Sequence, residues 1–118
     1  MKQEESILQQ QCVRWFRYQH PEYALLLFAV PNGGFRNKGT AQRMHAEGVV
    51  AGVADLILRL PTTDHHALCI EMKTDKGRQS DKQKAWQAAV EKVGYKYVIC
   101  RSFQEFFFEV TKYLQKIL

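Results

Sequence analysis

The fold is decided by GVADLIL, residues 52–58, an apolar run that contains a single aspartate, Asp55. A second apolar run, ALCIEMK, follows at residues 67–73 and contains Glu71 and Lys73. Charged side chains are costly to remove from water unless they pair with each other or hold a cation. Three such groups on two predicted core strands therefore indicate a metal site.

The turn-like stretch PTTDHH separates the two runs, so we expect them to form a β-hairpin. A symmetric closure puts Asp55 opposite Glu71, with Lys73 on the same face. The same register pairs Ile57 with Cys69. The Cβ atoms of cross-strand partners lie about 4.5 to 5.5 Å apart, a suitable span for one divalent cation. The other face is expected to be core, and it carries Leu56, Leu58, Leu68, Ile70 and Met72.

Two carboxylates with a nearby lysine suit phosphodiester hydrolysis assisted by a hard divalent metal. Mg²⁺ prefers oxygen ligands, keeps several of its waters and accepts a phosphate oxygen in its shell. Lys73 is placed to orient the attacking water or to offset charge in the transition state. The alternative is a structural ion-pair cluster of Asp55, Glu71 and Lys73, because structural networks also bring charges together. The spacing alone leaves both interpretations open.

The sequence around these residues resembles the VRR-NUC family of the PD-(D/E)xK nuclease superfamily. The resemblance covers nearly the whole chain, and its ordered elements are PNGG at 31–34, GVVAGVADL at 48–56, EMK at 71–73, SDKQ at 80–83, and Trp86. Ala54 stands where the superfamily name has proline, at a position that supplies no metal ligand. The alternation of predicted helices and strands favours an α/β fold with a mixed four-stranded sheet flanked by helices, and the resemblance implies the same fold with a restriction-endonuclease-like core. A length of 118 residues fits a single domain over residues 1–118.

The resemblance also implies a catalytic site. Asp55 and Glu71 would bind Mg²⁺ or Mn²⁺, with the backbone carbonyl of Met72 as a further ligand. Lys73 would be the catalytic lysine. Family members also draw a glutamate from the first helix, which implies a role for Glu5.

The functional roles of Glu5 and Gln83 each have a structural alternative. Glu5, with Gln9 four residues later, fits the family pattern better than Glu4, but acidic residues in a first turn also oppose the helix dipole. Gln83 matches a family glutamine that organises the site or the bound phosphate, whereas a solvated helix residue is the alternative. Ser80 is a predicted N-cap, and helical spacing puts Gln83 at the start of the stripe that faces the sheet. A polar side chain there needs a partner, which favours the functional role.

Basic residues outnumber acidic ones, with 17 Lys and Arg against 12 Asp and Glu, and the net charge of +5 fits a polyanionic partner such as DNA. Basic residues concentrate at 36–43 and again at 73–84, after the proposed metal site. The glycines that follow Asn32 permit a close approach of a phosphate. A solvated helix face and an ordinary strand-to-helix turn are the alternatives. The DNA-contact candidates are Asn32, Gly33, Gly34, Arg36, Lys38, Arg43, Lys76 and Arg78.

Three cysteines, Cys12, Cys69 and Cys100, are widely spaced and lack the spacing of zinc ligands. We expect them to be small buried hydrophobic residues in a reducing compartment. The N-terminus lacks the features of a secretory signal, and the longest apolar run, residues 23–30, is too short to span a bilayer. We therefore expect a cytoplasmic protein without a membrane partner.

Periodicity predicts helices and strands in a mixed order. The predicted elements are helix 4–18, strand 25–30, helix 40–47, strands 53–60 and 67–74, helix 81–93, strand 96–101 and helix 103–118. Gly94 is a predicted helix C-cap and Ser102 a predicted N-cap. The last helix has a wide apolar stripe, for which core packing is the default explanation and a dimer interface the alternative.

These observations lead to the hypothesis of a Mg²⁺- or Mn²⁺-dependent endodeoxyribonuclease. Similarity to stand-alone family members implies a structure-specific enzyme, a Holliday-junction resolvase that acts as a homodimer on branched DNA. A two-fold dimer presents two symmetry-related active sites to a symmetric junction. A flap or duplex nuclease of the same family is one alternative. A non-catalytic DNA-binding module on the nuclease scaffold is another.

Overall fold

Four strands form one mixed sheet with helices on both faces, as the sequence predicts. The computed structural model describes residues 1–31 and 37–118. The elements are α1 (Gln3–Gln19), a 3₁₀ helix (Pro21–Leu26), β1 (Leu27–Ala29), α2 (Lys38–Ala46), β2 (Leu56–Leu58), β3 (Leu68–Met72), α3 (Asp81–Lys92), β4 (Lys96–Cys100) and α4 (Phe103–Leu114). The strand order is β1-β2-β3-β4, antiparallel except for the parallel pair β3 and β4. None of the helices in the described ranges combines the length and apolarity needed to span a bilayer.

The strands β2 and β3 form the predicted hairpin in the predicted register. Ile57 lies opposite Cys69, as expected from a symmetric closure. Thr62 closes the turn, because its hydroxyl oxygen accepts hydrogen bonds from the backbone N–H groups of Asp64 at 3.2 Å and His65 at 3.0 Å. Side chains alternate along each strand, so this register decides which residues share a face.

One face of the sheet packs against α1 and α4 and forms the larger core. Cys12 and Phe16 of α1 and Phe106 and Val110 of α4 are fully buried there. The strands contribute the side chains predicted for this face, namely Leu56, Leu58, Leu68, Ile70 and Met72.

The other face also carries core, which corrects the expectation that this face serves chemistry alone. Trp86 and Val90 of α3 pack on Ile57, Cys69 and Tyr97. The reason is the parallel pairing of β3 with β4, because parallel neighbours need a crossover connection and here the crossover is α3. The face of the sheet that carries the candidate carboxylates therefore also carries a second, smaller core.

The predicted strand 25–30 is wrong in its first half. Pro21 occupies the first turn of the 3₁₀ helix, where its fixed φ and missing N–H are tolerated. That helix continues to Leu26, and Leu25 is 94% exposed. Strand β1 is therefore limited to three residues.

The predicted helix 103–118 also ends earlier than expected, at Leu114. The chain beyond it returns to the hairpin turn, where Ile117 forms a β-bridge with Thr62. The backbone N–H of Thr63 donates to the carbonyl of Lys116 at 2.9 Å. Pairing with a distant turn replaces the last helical turn.

The predicted helix caps are confirmed. Ser80 Oγ accepts the backbone N–H of Gln83 at 3.1 Å, and the Gln83 side chain accepts the N–H of Ser80 at 2.8 Å, which forms a capping box. Ser102 caps α4 by accepting the N–H of Glu105 at 3.1 Å. Gly94 follows α3 with a φ of +93°, a conformation that glycine adopts without strain.

Candidate active site

Asp55 stands immediately before β2 and is fixed by a hydrogen bond across the hairpin. Its Oδ2 accepts the backbone N–H of Met72 at 2.7 Å. Gly52 shapes the approach to Asp55, because its φ is +90° and a Cβ there would lie 2.5 Å from the carbonyl oxygen of Lys82. The loop before Asp55 therefore packs closely on the first turn of α3.

Glu71 is held at both carboxylate oxygens. Its Oε2 accepts a hydrogen bond from Gln83 Nε2 at 2.9 Å, and Lys73 Nζ lies 3.9 Å from the same oxygen. Its Oε1 accepts a hydrogen bond from the hydroxyl of Tyr97 at 3.3 Å. Because Glu71 is 2% exposed, these contacts replace the water that would otherwise solvate it.

Burial disfavours the charge of both carboxyls, and the charge of Asp55 further disfavours that of Glu71. Burial and the charge of Asp55 raise the pKa of Glu71 to about 8. Burial also raises the pKa of Asp55, although the N–H of Met72 favours the charged form. A hydrogen bond between the two carboxyls lowers the pKa of Asp55 and raises the pKa of Glu71, so a proton held by the pair favours Glu71. Two buried carboxylates in contact repel each other unless a proton or a cation joins them, so the pair favours a positive ligand.

An open cavity of about 880 Å³ brings the candidate residues together. The five predicted catalytic residues all line it, namely Glu5, Asp55, Glu71, Lys73 and Gln83. Lys2 and Arg78 also line it and are exposed. The cavity therefore combines buried acidic groups with exposed cationic ones.

The first helix brings Glu5, and not Glu4, to this cavity. Glu5 is 8% exposed, and its charge contributes to the raised pKa of Asp55. Glu4 is exposed and lines a different pocket. Gln9, one turn after Glu5, also lines the cavity, and its Oε1 is buried without a hydrogen-bond partner in the described part of the chain. A buried oxygen without a donor is available to a bound water.

The donor set of the cavity suits a hard divalent cation. Within residues 1–31 and 37–118, no three His, Cys, Asp or Glu side chains are grouped so that they could hold a metal ion by themselves. Mg²⁺ is usually held by one or two carboxylates, with waters and substrate oxygens completing its shell, and Asp55 and Glu71 fit that pattern. The Met72 side chain is buried in the opposite core, so this residue has only its backbone to offer on the cavity side.

The basic DNA-contact candidates are not all gathered at the cavity. Arg78 lines it, whereas Lys76 is exposed in the neighbouring pocket that Glu4 lines. Lys38 and Arg43 lie exposed on α2 and do not line the cavity, and Arg43 pairs with a glutamate one turn later at 3.4 Å. Asn32, Gly33, Gly34 and Arg36 lie outside the described residues.

Tyr97 and Gln79 make contacts near Glu71 that local sequence patterns do not predict. Tyr97 lies in a correctly predicted strand, but its closeness to Glu71 depends on the parallel register of β4 with β3. That register has no local signal. The only available hint was the hydroxyl itself, because a tyrosine in an apolar strand usually finds a hydrogen-bond partner when buried.

Comparison with known proteins gives two positive findings. The VRR-NUC domain family matches residues 3–104. A solved structure described as a VRR_NUC domain protein has a TM-score of 0.81 to this chain at 23% identity, and the alignment covers 94% of this chain and 88% of that chain. The structural likeness shows a shared fold. No curated protein matches the chain.

Proposed function

Because this chain belongs to the VRR-NUC domain family, we propose that it is a nuclease that hydrolyses DNA phosphodiester bonds with Mg²⁺ or Mn²⁺. The observation that carries the proposal is the contact between the carboxyls of Asp55 and Glu71, beside Lys73, in an open cavity. A structural ion-pair cluster has no need of an open cavity of about 880 Å³ beside it. The cavity therefore favours catalysis over the structural alternative.

The proposed roles follow from the contacts. Asp55 and Glu71 would hold the cation, and the carbonyl of Met72 would add an oxygen. A bound divalent ion polarises a phosphate and lowers the pKa of a water. Gln83 holds Oε2 of Glu71 in place. Lys73, with its Nζ near the same oxygen, orients the attacking water or balances the charge that develops on the phosphate.

Glu5 and the exposed cations are assigned supporting roles. Glu5 adds a third carboxylate to the cavity, where it would accept hydrogen bonds from the waters of the bound cation. Arg78 lines the cavity and is assigned a contact to the DNA phosphate backbone, and Lys76 is assigned a contact to a neighbouring phosphate. Lys38 and Arg43 on α2, and Asn32, Gly33, Gly34 and Arg36, stay DNA-contact candidates on the strength of the sequence alone.

We further propose that the substrate is branched DNA and that the protein resolves Holliday junctions as a homodimer. The resemblance to stand-alone family members supports this choice. Exposed aromatic side chains on α4 also support it, because Phe107 is 45% and Phe108 61% exposed, and a second copy would cover such groups. A flap or duplex nuclease is the competing assignment.

Two broader assignments accompany this proposal. We treat residues 1–118 as one nuclease domain, in which α4 extends past the family match yet packs on α1. We also propose a cytoplasmic location, which the three buried free cysteines support, since such thiols are common in reducing compartments.

The proposal is tested with labelled four-way junction, flap and duplex DNA in Mg²⁺, Mn²⁺ or EDTA. We expect cleavage only with metal, and fastest cleavage of the junction. Preference for flaps or duplex would remove the resolvase assignment. Binding without cleavage in either metal would identify a non-catalytic DNA-binding module. Light scattering of the purified protein tests the homodimer separately.

Lys73→Ala tests the assigned catalytic lysine. We expect cleavage to fall by about 100-fold or more, because a positioned proton-transfer group contributes at least that much. Junction binding and metal affinity should stay close to those of the wild type, because Asp55 and Glu71 are untouched. Lys92→Ala, at the far end of α3 and away from the cavity, is the matched control. Unchanged turnover in Lys73→Ala would mean that the role is wrong.

A further inference from the structure

The hydroxyl of Tyr97 contacts the oxygen of Glu71 that Gln83 does not reach. Gln83 donates to Oε2, and Tyr97 donates to Oε1 at 3.3 Å. The Tyr97 side chain is 7% exposed, and its ring lies 6.2 Å from that of Trp86. The packing of α3 on the sheet thus leaves this hydroxyl little freedom to move.

A glutamine sets the direction of the Tyr97 hydroxyl. Gln79 Nε2 donates to the oxygen of Tyr97 at 3.2 Å and to Oε1 of Gln87 at 2.8 Å. An amide nitrogen has two hydrogens, so it serves both acceptors. Because the Tyr97 oxygen accepts from Gln79, its single hydrogen is left for Glu71.

The orientation of Gln79 is fixed in turn by the hydrogen bond between Gln87 and Glu91. Gln87 Nε2 donates to Oε2 of Glu91 at 3.3 Å, so the oxygen of the Gln87 amide faces Gln79. Gln79 must therefore present its nitrogen to this site, since two amide oxygens do not bond to each other. Gln79 therefore donates to Tyr97, and Tyr97 donates to Glu71.

We propose that Tyr97, oriented by Gln79, is a positioning residue that holds the Glu71 carboxylate for a divalent cation. Each carboxylate oxygen has two lone pairs, so an oxygen that accepts from Tyr97 or Gln83 keeps one for a metal. Two donors on opposite oxygens prevent the carboxylate from rotating away from the cavity. This inference rests on the proposed function, because it assigns the cation to the same site.

The test is a comparison of Mn²⁺ and Mg²⁺ binding by calorimetry, in the absence of DNA. Tyr97→Phe removes one oxygen atom and keeps the ring. We expect its metal affinity to fall by about 10- to 100-fold, the usual effect of losing a partner that orients a metal ligand. Gln79→Leu, which removes the donor to Tyr97, should weaken metal binding in the same direction and by a smaller factor.

Two tyrosines serve as controls. Tyr95→Phe, two positions before Tyr97, removes a hydroxyl for which the described residues offer no hydrogen bond, and metal binding should be unchanged. Tyr113→Phe breaks a 2.7 Å hydrogen bond to the carbonyl of Leu60 in the core. It should lower the melting temperature and leave metal affinity alone, which separates a structural effect from a positioning effect.

The outcomes distinguish this inference from the proposed function. If the wild type binds neither metal, the proposed function fails and the inference with it. If the wild type binds and Tyr97→Phe binds equally well, the inference alone is overturned. If Tyr97→Phe does not fold, Gln79→Leu decides: weakened metal binding supports the inference, and unchanged binding overturns it.

Discussion

The carboxyl of Glu71 lies in surroundings that disfavour its charge. Burial and the neighbouring Asp55 raise its pKa from an ordinary value of 4.5 to about 8, so the folded protein binds a proton there more tightly than the unfolded chain does. Stability from this proton is fully present below the unfolded pKa and is lost as the pH rises through the folded one. A cation bound at Glu71 in place of the proton would prevent this loss of stability at high pH.

We therefore expect the melting temperature in EDTA to fall as the pH rises from roughly 5 to 9. Glu71→Gln should flatten this dependence, because the amide does not ionise, and saturating Mg²⁺ should flatten it in the wild type. Thermal unfolding in a pH series checks all three. A melting temperature that rises over this range in EDTA would contradict the direction assigned to Glu71.

At the scale of elements, loops and turns position the site as much as the strands do. Arg101, which follows β4, donates through Nη1 to the carbonyls of Thr74 at 3.0 Å and Gly77 at 2.7 Å. Gly77 packs on the stem of Lys73, since a Cβ there would lie 3.1 Å from Lys73 Cδ. The end of β4 thus holds the turn that lies against the proposed catalytic lysine.

The loop before β2 offers a matched pair of glycine substitutions. Gly48→Ala meets no atom within 4 Å but places alanine at a φ of +105°, and strain of about 1 to 2 kcal/mol is expected. Gly52→Ala combines a φ of +90° with a clash against the Lys82 backbone. We expect it to lower the free energy of unfolding by about 3 kcal/mol or more.

Denaturant unfolding of both variants measures the difference, and Gly48→Ala serves as the control for backbone strain alone. Equal losses of unfolding free energy in the two variants would mean that the loop at Gly52 does not pack tightly on α3. Weakened metal binding in Gly52→Ala would further show that this contact positions Asp55.

At the scale of the whole molecule, the effect of the net charge of +5 on DNA binding depends on where the basic residues lie. Exposed cations such as Arg78 line the cavity, while the carboxyl of Glu71 is buried within it. A phosphate backbone that approaches this surface meets positive charge first. Binding of this kind releases condensed counterions and weakens with added salt.

We expect the logarithm of the junction association constant to fall linearly with the logarithm of salt concentration. Arg78→Ala should reduce the magnitude of this slope by about one, the effect of losing one phosphate contact. Arg59→Ala, exposed and outside the cavity lining, should leave it unchanged. Fluorescence anisotropy with catalysis blocked by Ca²⁺ or EDTA measures the slope. A response independent of salt would contradict the phosphate contacts.

The sequence by itself determined what depends on near neighbours in the chain. Alternation in two apolar runs and a polar turn were enough to predict the register that pairs Ile57 with Cys69. Short side chains before helices predicted the caps at Ser80 and Ser102. The family, too, was predicted from ordered motifs and is confirmed by the match over residues 3–104. Side-chain alternation, turns and helix caps depend on residues that are close in sequence, so local sequence patterns predict them.

Only the tertiary structure decided the contacts between segments that are distant in sequence. The parallel register of β4 with β3 brings Tyr97 to Glu71, and the crossover through α3 adds a second core on the face that was expected to serve chemistry. The return of the C-terminal residues to Thr62 ends α4 early. These features follow from packing between elements, and a parallel pair has no connecting turn from which its register could be predicted.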